Sequence, residues 1–254
     1  MGDLSEPAPP TPFDRGDGTR LACRFRPGRG PALLFLPGYA SDMMGDKAVA
    51  LDAWAARHGH ALLRFDYAGC GESEGAFEDG TLTRWRDDVL AIVDACEGDL
   101  VLVGSSMGGW LMLLVALARP ARVRALIGIA AAPDFTDWGF DAAQRATLLR
   151  DGRIEAPSPY SDAPFVTTRG FWESGQAHLL LDAGEDGIAF DGPVRLLHGQ
   201  ADGDVPWITA TRLAEALRSA DVQTILVKDG DHRLSRAQDI ALLLRTVEIV
   251  LESL

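Results

Sequence analysis

The chain has 254 residues, 47% of them hydrophobic and 24% charged, with a formal net charge of −13. These values suit one large globular domain with a substantial core. They argue against nucleic acid or an anionic membrane as partner, because either would repel an acidic surface.

The first twelve residues, MGDLSEPAPPTP, are polar, acidic and proline-rich and read as a flexible tail (1–12). They contain no apolar h-region and no arginine, and Glu6 occupies the position where a myristoylation signal needs Ser or Thr. Residues 13–254 then form the domain. Strands are expected at 20–26, 32–38, 61–67, 100–106, 125–133, 194–200 and 223–230; several are continuously apolar, as strands buried on both faces are. Between them, 47–59, 81–98, 107–120, 207–220 and 235–254 carry helical spacing. The alternation predicts an α/β fold, a mainly parallel sheet with helices on both faces.

One interval breaks this rhythm. Residues 134–192 are too many for a single crossover helix and include Trp138, Phe140, Phe165, Phe171 and Trp172. Two short helices, near 141–151 and 169–180, around an irregular centre at 157–164 would make a small lid over the strand ends. The longest apolar run, LMLLVALA at 111–118, is too short to cross a bilayer. Cys23, Cys70 and Cys96 are odd in number and widely spaced, so they read as free, buried thiols in a reducing compartment. Together these features predict a cytoplasmic protein.

Two pentapeptides, GESEG (71–75) and GSSMG (104–108), match the G-x-S-x-G pattern of a nucleophilic serine. A nucleophile elbow needs a buried strand entering the serine and a helix leaving it. GSSMG has LVLV before it and GGWLMLLVALA after it, and the frame selects Ser106 over Ser105. Gly104 and Gly108 would spare the Cβ clashes of a tight turn at positive φ. GESEG follows the loop DYAGCG and runs into AFEDGT, so Ser73 has no helix beneath it and its loop reads as structural.

A serine hydroxyl becomes an effective nucleophile when an imidazole takes its proton and a carboxylate orients that imidazole. On a sheet of this kind the chain order is Ser, acid, His. Of the five histidines, His58 and His60 precede the acid, His178 falls in the insertion and His198 ends a strand. His232, in KDGDHRLS, follows the last strand on a short loop and is the expected base. Asp202 and Asp204 both lie on HGQADGDVPW; Asp202, nearer the strand end, is the expected acid, and Asp204 is turning toward the next helix. The oxyanion would be held by the backbone N–H groups of Met107, after the nucleophile, and Tyr39, after LLFLPG.

With these stretches in place the chain resembles the α/β-hydrolase fold superfamily over nearly its full length. LPGYASDM matches the oxyanion loop, GSSMGG the elbow, and HGQADGDVPW and GDHRLS the acid and base loops; the family pattern HG-x-x-D-x-x-VP also falls on Asp202. Within it, LPGYASDM, RFDYAGCGES, GSSMGGWLML, RPARVRALIGIAAAPDF and RLLHGQADGDVPW resemble the branch containing a mitochondrial palmitoyl-protein thioesterase that also cleaves acyl glucuronides. The resemblance implies a lid inserted after the sixth strand and serine esterase or thioesterase chemistry without metal or organic cofactor. Its substrate would be an acyl ester or thioester, an S-acylated protein among the candidates. A peptidase using the same three side chains, and a non-catalytic binding protein on the same fold, are the rival readings.

Overall fold

In the computed structural model, residues 9–157, 164–182, 184 and 186–254 are described. The apolar runs pair into an eight-stranded sheet. In chain order its strands are β1 (Thr11–Asp14), β2 (Arg20–Arg26), β3 (Arg29–Leu36), β4 (His60–Phe65), β5 (Leu100–Ser105), β6 (Val123–Ile129), β9 (Val194–Gly199) and β10 (Val222–Val227). Their spatial order is β1-β2-β4-β3-β5-β6-β9-β10. The pairings of β2 with β1 and β4 are antiparallel and the others are parallel. Of the segment read as a tail, residues 1–8 lie outside the described ones, whereas Thr11 and Pro12 already pair with Cys23 and Ala22 in β1.

Every residue of β5 is buried, which fits a central strand covered on both sides. Alternate side chains of the central strands feed two separate cores. Leu33, Phe35, Val101, Val103, Ala125 and Ile127 pack with Leu51 and Trp54 of α1 (Asp46–His58) and Leu243 and Val247 of α8 (Ala237–Glu252). Leu34, Leu36, Leu102 and Leu126 face α2 (Leu82–Ala95), α3 (Met107–Ala118) and α7 (Ile208–Ala216), meeting Trp85, Trp110 and Leu213. Helix α3 is buried from Met107 through Ala116, which explains why its sequence shows so little amphipathic contrast.

Between β3 and β5 the order of connections reverses: the chain leaves β3 for β4 on one side, then returns to β5 on the other. Loops leaving two such strands diverge and open a crevice at their carboxyl ends. That crevice receives Gly38–Tyr39 from β3 and Ser106 from β5.

The insertion 134–192 differs from the two-helix expectation. The expected helices are present as α5 (Ala142–Asp151) and α6 (Arg169–Gln176), with a single turn α4 (Phe135–Trp138) before them. Between them β7 (Arg153–Ala156) and β8 (Phe165–Thr168) pair antiparallel, an element the sequence reading missed. The stretch FVTT carries the β-branched and aromatic residues that favour a strand, but four residues are too few to show periodicity. The irregular centre read at 157–164 lies mostly outside the described residues, which resume at Pro164. The two ends of the insertion are fastened together. Asp134, at φ 59°, accepts the backbone N–H groups of Leu180 and Leu181 at 2.9 and 2.7 Å. Trp110 Nε1 donates to the His178 carbonyl, and the His178 ring meets Thr83 of α2.

Candidate active site

Strand β5 ends in Ser105, and helix α3 begins at Met107. The intervening residue, Ser106, has φ 54° and ψ −118°, a strained conformation for a residue with a side chain. Its backbone is fixed on both sides: N–H donates to Ile129 O at 2.9 Å, and O accepts from Gly109 and Ala132 at 2.9 and 3.1 Å. A Cβ on Gly104 would overlap the Gly108 carbonyl, and one on Gly108 would overlap the Leu36 carbonyl. The two glycines let β3, β5 and α3 converge beneath the serine.

The next members come from loops after β9 and β10. His232 Nε2 lies 3.1 Å from Ser106 Oγ, and its Nδ1 lies 2.9 Å from Asp202 Oδ2. With Nδ1–H donating to the carboxylate, Nε2 is an acceptor aimed at the serine hydroxyl. The Asp202 side chain is fully buried and that of His232 is 17% exposed, so the acid is shielded while the imidazole reaches the cleft. Oδ1 of Asp202 accepts from the backbone N–H groups of Asp204 and Val205 at 2.9 and 2.8 Å. Burial opposes ionisation of Asp202, but hydrogen bonds from His198 and His232 outweigh it and hold this carboxyl well below the usual carboxylate range. Asp204 is exposed and lines the cleft.

Ligand atoms of Asp202, Asp204 and His232 lie within 4.8 Å of one another, a spacing a cation could use. Both Asp202 oxygens and His232 Nδ1 already take part in the hydrogen bonds just described, Oδ1 with backbone N–H groups and Oδ2 with Nδ1.

Gly38 approaches Ser106 closely enough that a Cβ there would lie 3.3 Å from the serine Cβ. This brings the Tyr39 backbone to the rim. Met107 opens α3, so its N–H is one of the donors a helix cannot satisfy internally. Tyr39 does more than the sequence reading assigned it. Its hydroxyl donates to Val166 O of β8 at 2.6 Å, and its ring meets Phe77, Trp85, Phe135 and Phe171. The loop after β3 is thereby tied to the inserted hairpin.

The cleft above Ser106 has a volume of about 610 Å³. Phe77, Phe135, Trp138, Phe165 and Val166 give it an apolar wall, much of it from the insertion. Ser41, Asp42, Asp46, Lys47 and Arg233 also line it. Lys47 Nζ donates to the Arg233 carbonyl, next to His232, and burial together with Arg233 pushes this ammonium down to about 8. The signal for Lys47 was weak in the sequence, since one lysine near a helix start is ordinary surface.

The other candidates fall elsewhere. The Ser73 hydroxyl donates to Asp66 O at 2.6 Å and accepts from Ala22 N–H at 2.8 Å, so it knits its loop to β2. His58 bonds the Trp54 carbonyl, and both His58 and His60 stack on Trp54. Cys23 and Cys70 are buried free thiols, each pushed up to about 12 chiefly by burial. Among the described residues no helix is long and apolar enough to cross a membrane.

Residues 33–252 match the model of the "Alpha/beta hydrolase family". The chain is 40% identical over 247 residues to human palmitoyl-protein thioesterase ABHD10, mitochondrial, covering 95% of this chain and 80% of that protein. The mouse counterpart is 41% identical, with 95% and 82% covered. Among solved structures, mouse alpha/beta hydrolase domain-containing protein 10 superposes with a TM-score of 0.88 at 39% identity, covering 97% of this chain and 99% of that one. A putative hydrolase from Agrobacterium vitis S4 gives 0.88 at 38% identity, with 97% and 100% covered. These relatives overturn one expectation. Proteins 40% identical to this chain are named mitochondrial, so the cytoplasmic assignment is withdrawn. It rested on free thiols and on the composition of residues 1–12, and free thiols suit any reducing compartment.

Proposed function

The chain belongs to the alpha/beta hydrolase family and is a hydrolase, and from that premise we propose that it is a serine esterase and thioesterase working through an acyl-enzyme. The observation that carries this reading is the continuous relay from Ser106 Oγ through His232 to the buried Asp202 carboxylate, at 3.1 and 2.9 Å. Ser106 Oγ attacks the acyl carbonyl as His232 Nε2 takes its proton. Asp202 keeps Nδ1–H pointed inward and stabilises the imidazolium that forms. Backbone N–H groups of Tyr39 and Met107 receive the oxyanion, each donor being worth about 3 kcal/mol of transition-state stabilisation. The imidazolium then protonates the departing thiolate or alkoxide, and a water activated by the same histidine releases the acid.

The mixed lining of the cleft supports a substrate class. The aromatic lining residues suit an acyl chain, and the polar ones, Lys47 and Arg233 among them, suit a hydrophilic leaving group. The relatives named palmitoyl-protein thioesterases support S-acyl thioesters, long-chain ones on proteins included; acyl glucuronides, which the resemblance in the sequence implies, are the oxygen-ester counterpart. The insertion would act as the lid over this cleft.

A fluorophosphonate probe tests the chemistry: it should label the wild-type chain and leave the folded Ser106→Ala variant unlabelled. Equal labelling of both would overturn the assignment. A panel crossing acyl length with thioester, oxygen-ester and glucuronide leaving groups then tests the substrate class.

A further inference from the structure

His198 is the residue whose environment the proposed reaction leaves unexplained. It is the fifth residue of β9, and its side chain is fully buried. Its Nε2 faces two oxygens, Val205 O at 3.0 Å and Asp202 Oδ2 at 3.1 Å. Among the described residues its Nδ1 is buried without a hydrogen-bond partner. Two acceptors on one side require a hydrogen on Nε2, and the absence of any acceptor on the other side disfavours a second hydrogen on Nδ1. The ring is therefore a neutral Nε2–H donor.

Resting on the reading that Asp202 orients His232, we propose that His198 is a positioning residue that tunes the strength of this base by sharing the carboxylate oxygen His232 uses. Oδ2 accepts from His232 Nδ1 at 2.9 Å and lies 3.1 Å from His198 Nε2, whose single hydrogen it shares with Val205 O at 3.0 Å. A second donor draws negative charge away from the bond to His232 and so weakens the hold of Asp202 on the imidazolium. Removing that donor concentrates the charge on His232 and favours its protonated form, which cannot accept the serine proton. The low proton affinity of Asp202 fits this arrangement, since the His198 bond stands beside that of His232 among its causes. The carboxylate keeps its place without His198, because Oδ1 retains two backbone donors.

The other charged groups near the pair are Asp204 on the acid loop, Asp231 and Arg233 on either side of His232, and Lys47 from α1 on the Arg233 carbonyl. All of them remain in a His198 variant, so a change in pH response reports His198.

The test is the pH profile of kcat/KM for an activated ester in the wild-type chain, His198→Leu and His198→Gln. His198→Leu should keep its activity on the alkaline plateau and move the acidic limb to higher pH by about half to one unit, a threefold to tenfold loss below the limb. His198→Gln, which offers an amide N–H from a similar reach, should restore the wild-type limb. A uniform loss at every pH with an unmoved limb would mean that His198 only holds the loop, and would overturn the proposal, as would a profile identical to wild type.

Nitrogen-15 NMR of the histidines in the wild-type chain decides the matter even if His198→Leu does not fold. At the pH of maximal activity His198 should show a protonated Nε2 and a bare Nδ1; a ring protonated on Nδ1 sinks the idea. This signature is independent of turnover, so failure of the esterase reading itself would appear separately, as an active Ser106→Ala variant.

Discussion

The chain writes G-x-S-x-G twice, and the two serines end in opposite circumstances. Ser106 leaves a fully buried strand, sits at φ 54° and points its hydroxyl at His232 across the cleft. Ser73 lies on the loop after β4 with its hydroxyl bonded to backbone on both sides, accepting from Ala22 and donating to Asp66. That loop is held by two buried carboxylates: Asp66 takes the N–H groups of Met43 and Glu72, and Asp88 takes that of Ala68. One loop holds a strained backbone beneath a hydroxyl that faces an imidazole, and the other has satisfied the polar atoms of its serine. A motif therefore predicts chemistry when its hydroxyl is left facing an acceptor that can take a proton.

The largest test of this contrast is Ser106→Ala. Loss of the hydroxyl should lower kcat by up to about 10⁶-fold, with KM and thermal melting nearly unchanged, because the backbone holding the turn is untouched. Asp202→Asn comes next. The amide would keep the backbone donors on Oδ1 but could turn an NH₂ toward His232 Nδ1, favouring the wrong tautomer; kcat should fall about 10⁴-fold. If steady-state kinetics place Asp202→Asn within tenfold of wild type, the carboxylate is not orienting the base.

The same contrast shows what could be read from residues alone. The parallel core was legible because β3, β5 and β6 contain apolar runs, ALLFL, LVLV and ALIGI, and the helical segments between the strands end at Gly or Pro. Ser106, Asp202 and His232 were legible because each sits on a loop that follows such a run, and the structure brings all three together. Strand β1 and the hairpin β7–β8 were missed, since strands of four residues are too short to show a period. His198 was passed over as a strand-end residue. The usable signal was a histidine in the apolar run VRLLHG, which must find a polar partner, and the first carboxylate in the following loop is Asp202, four residues on. The hydroxyl of Tyr39 gave no signal, because its partner is a backbone oxygen 127 residues away.

A third test bears on the quiet loop through its buried supports. Asp88 is fully buried, and burial pushes it up to about 6 despite the Ala68 N–H and Arg15 at 3.1 Å. Its folded-state value lies above the ordinary 3.8, so the folded chain binds more protons than the unfolded one between those limits. Stability from this group is therefore highest below about 3.8 and is lost as pH rises through about 6, an effect of about 3 kcal/mol. Asp88→Asn keeps an acceptor for Ala68 and removes the titration. Denaturant melts at pH 4 and pH 7 should show that the variant lacks this component, with kcat at pH 7 within about twofold of wild type. An unchanged pH dependence would mean that Asp88 does not titrate in this range.

The smallest expected effect is that of Ser73→Ala, and it tests the comparison most directly. The substitution deletes one donor to Asp66 O and one acceptor for Ala22 N–H, both partly buried, so it should cost about 1–3 kcal/mol in denaturant unfolding. Activity should stay within about twofold of wild type, since no atom of Ser73 lines the cleft. Equal stability would show that water replaces these bonds without cost, and the loop would then be looser than its hydrogen bonds imply. A loss of activity approaching that of Ser106→Ala, in a chain that still melts cooperatively, would break the distinction between the two serines. The pattern alone would then carry the chemistry, and the strand, the helix and the facing imidazole would not.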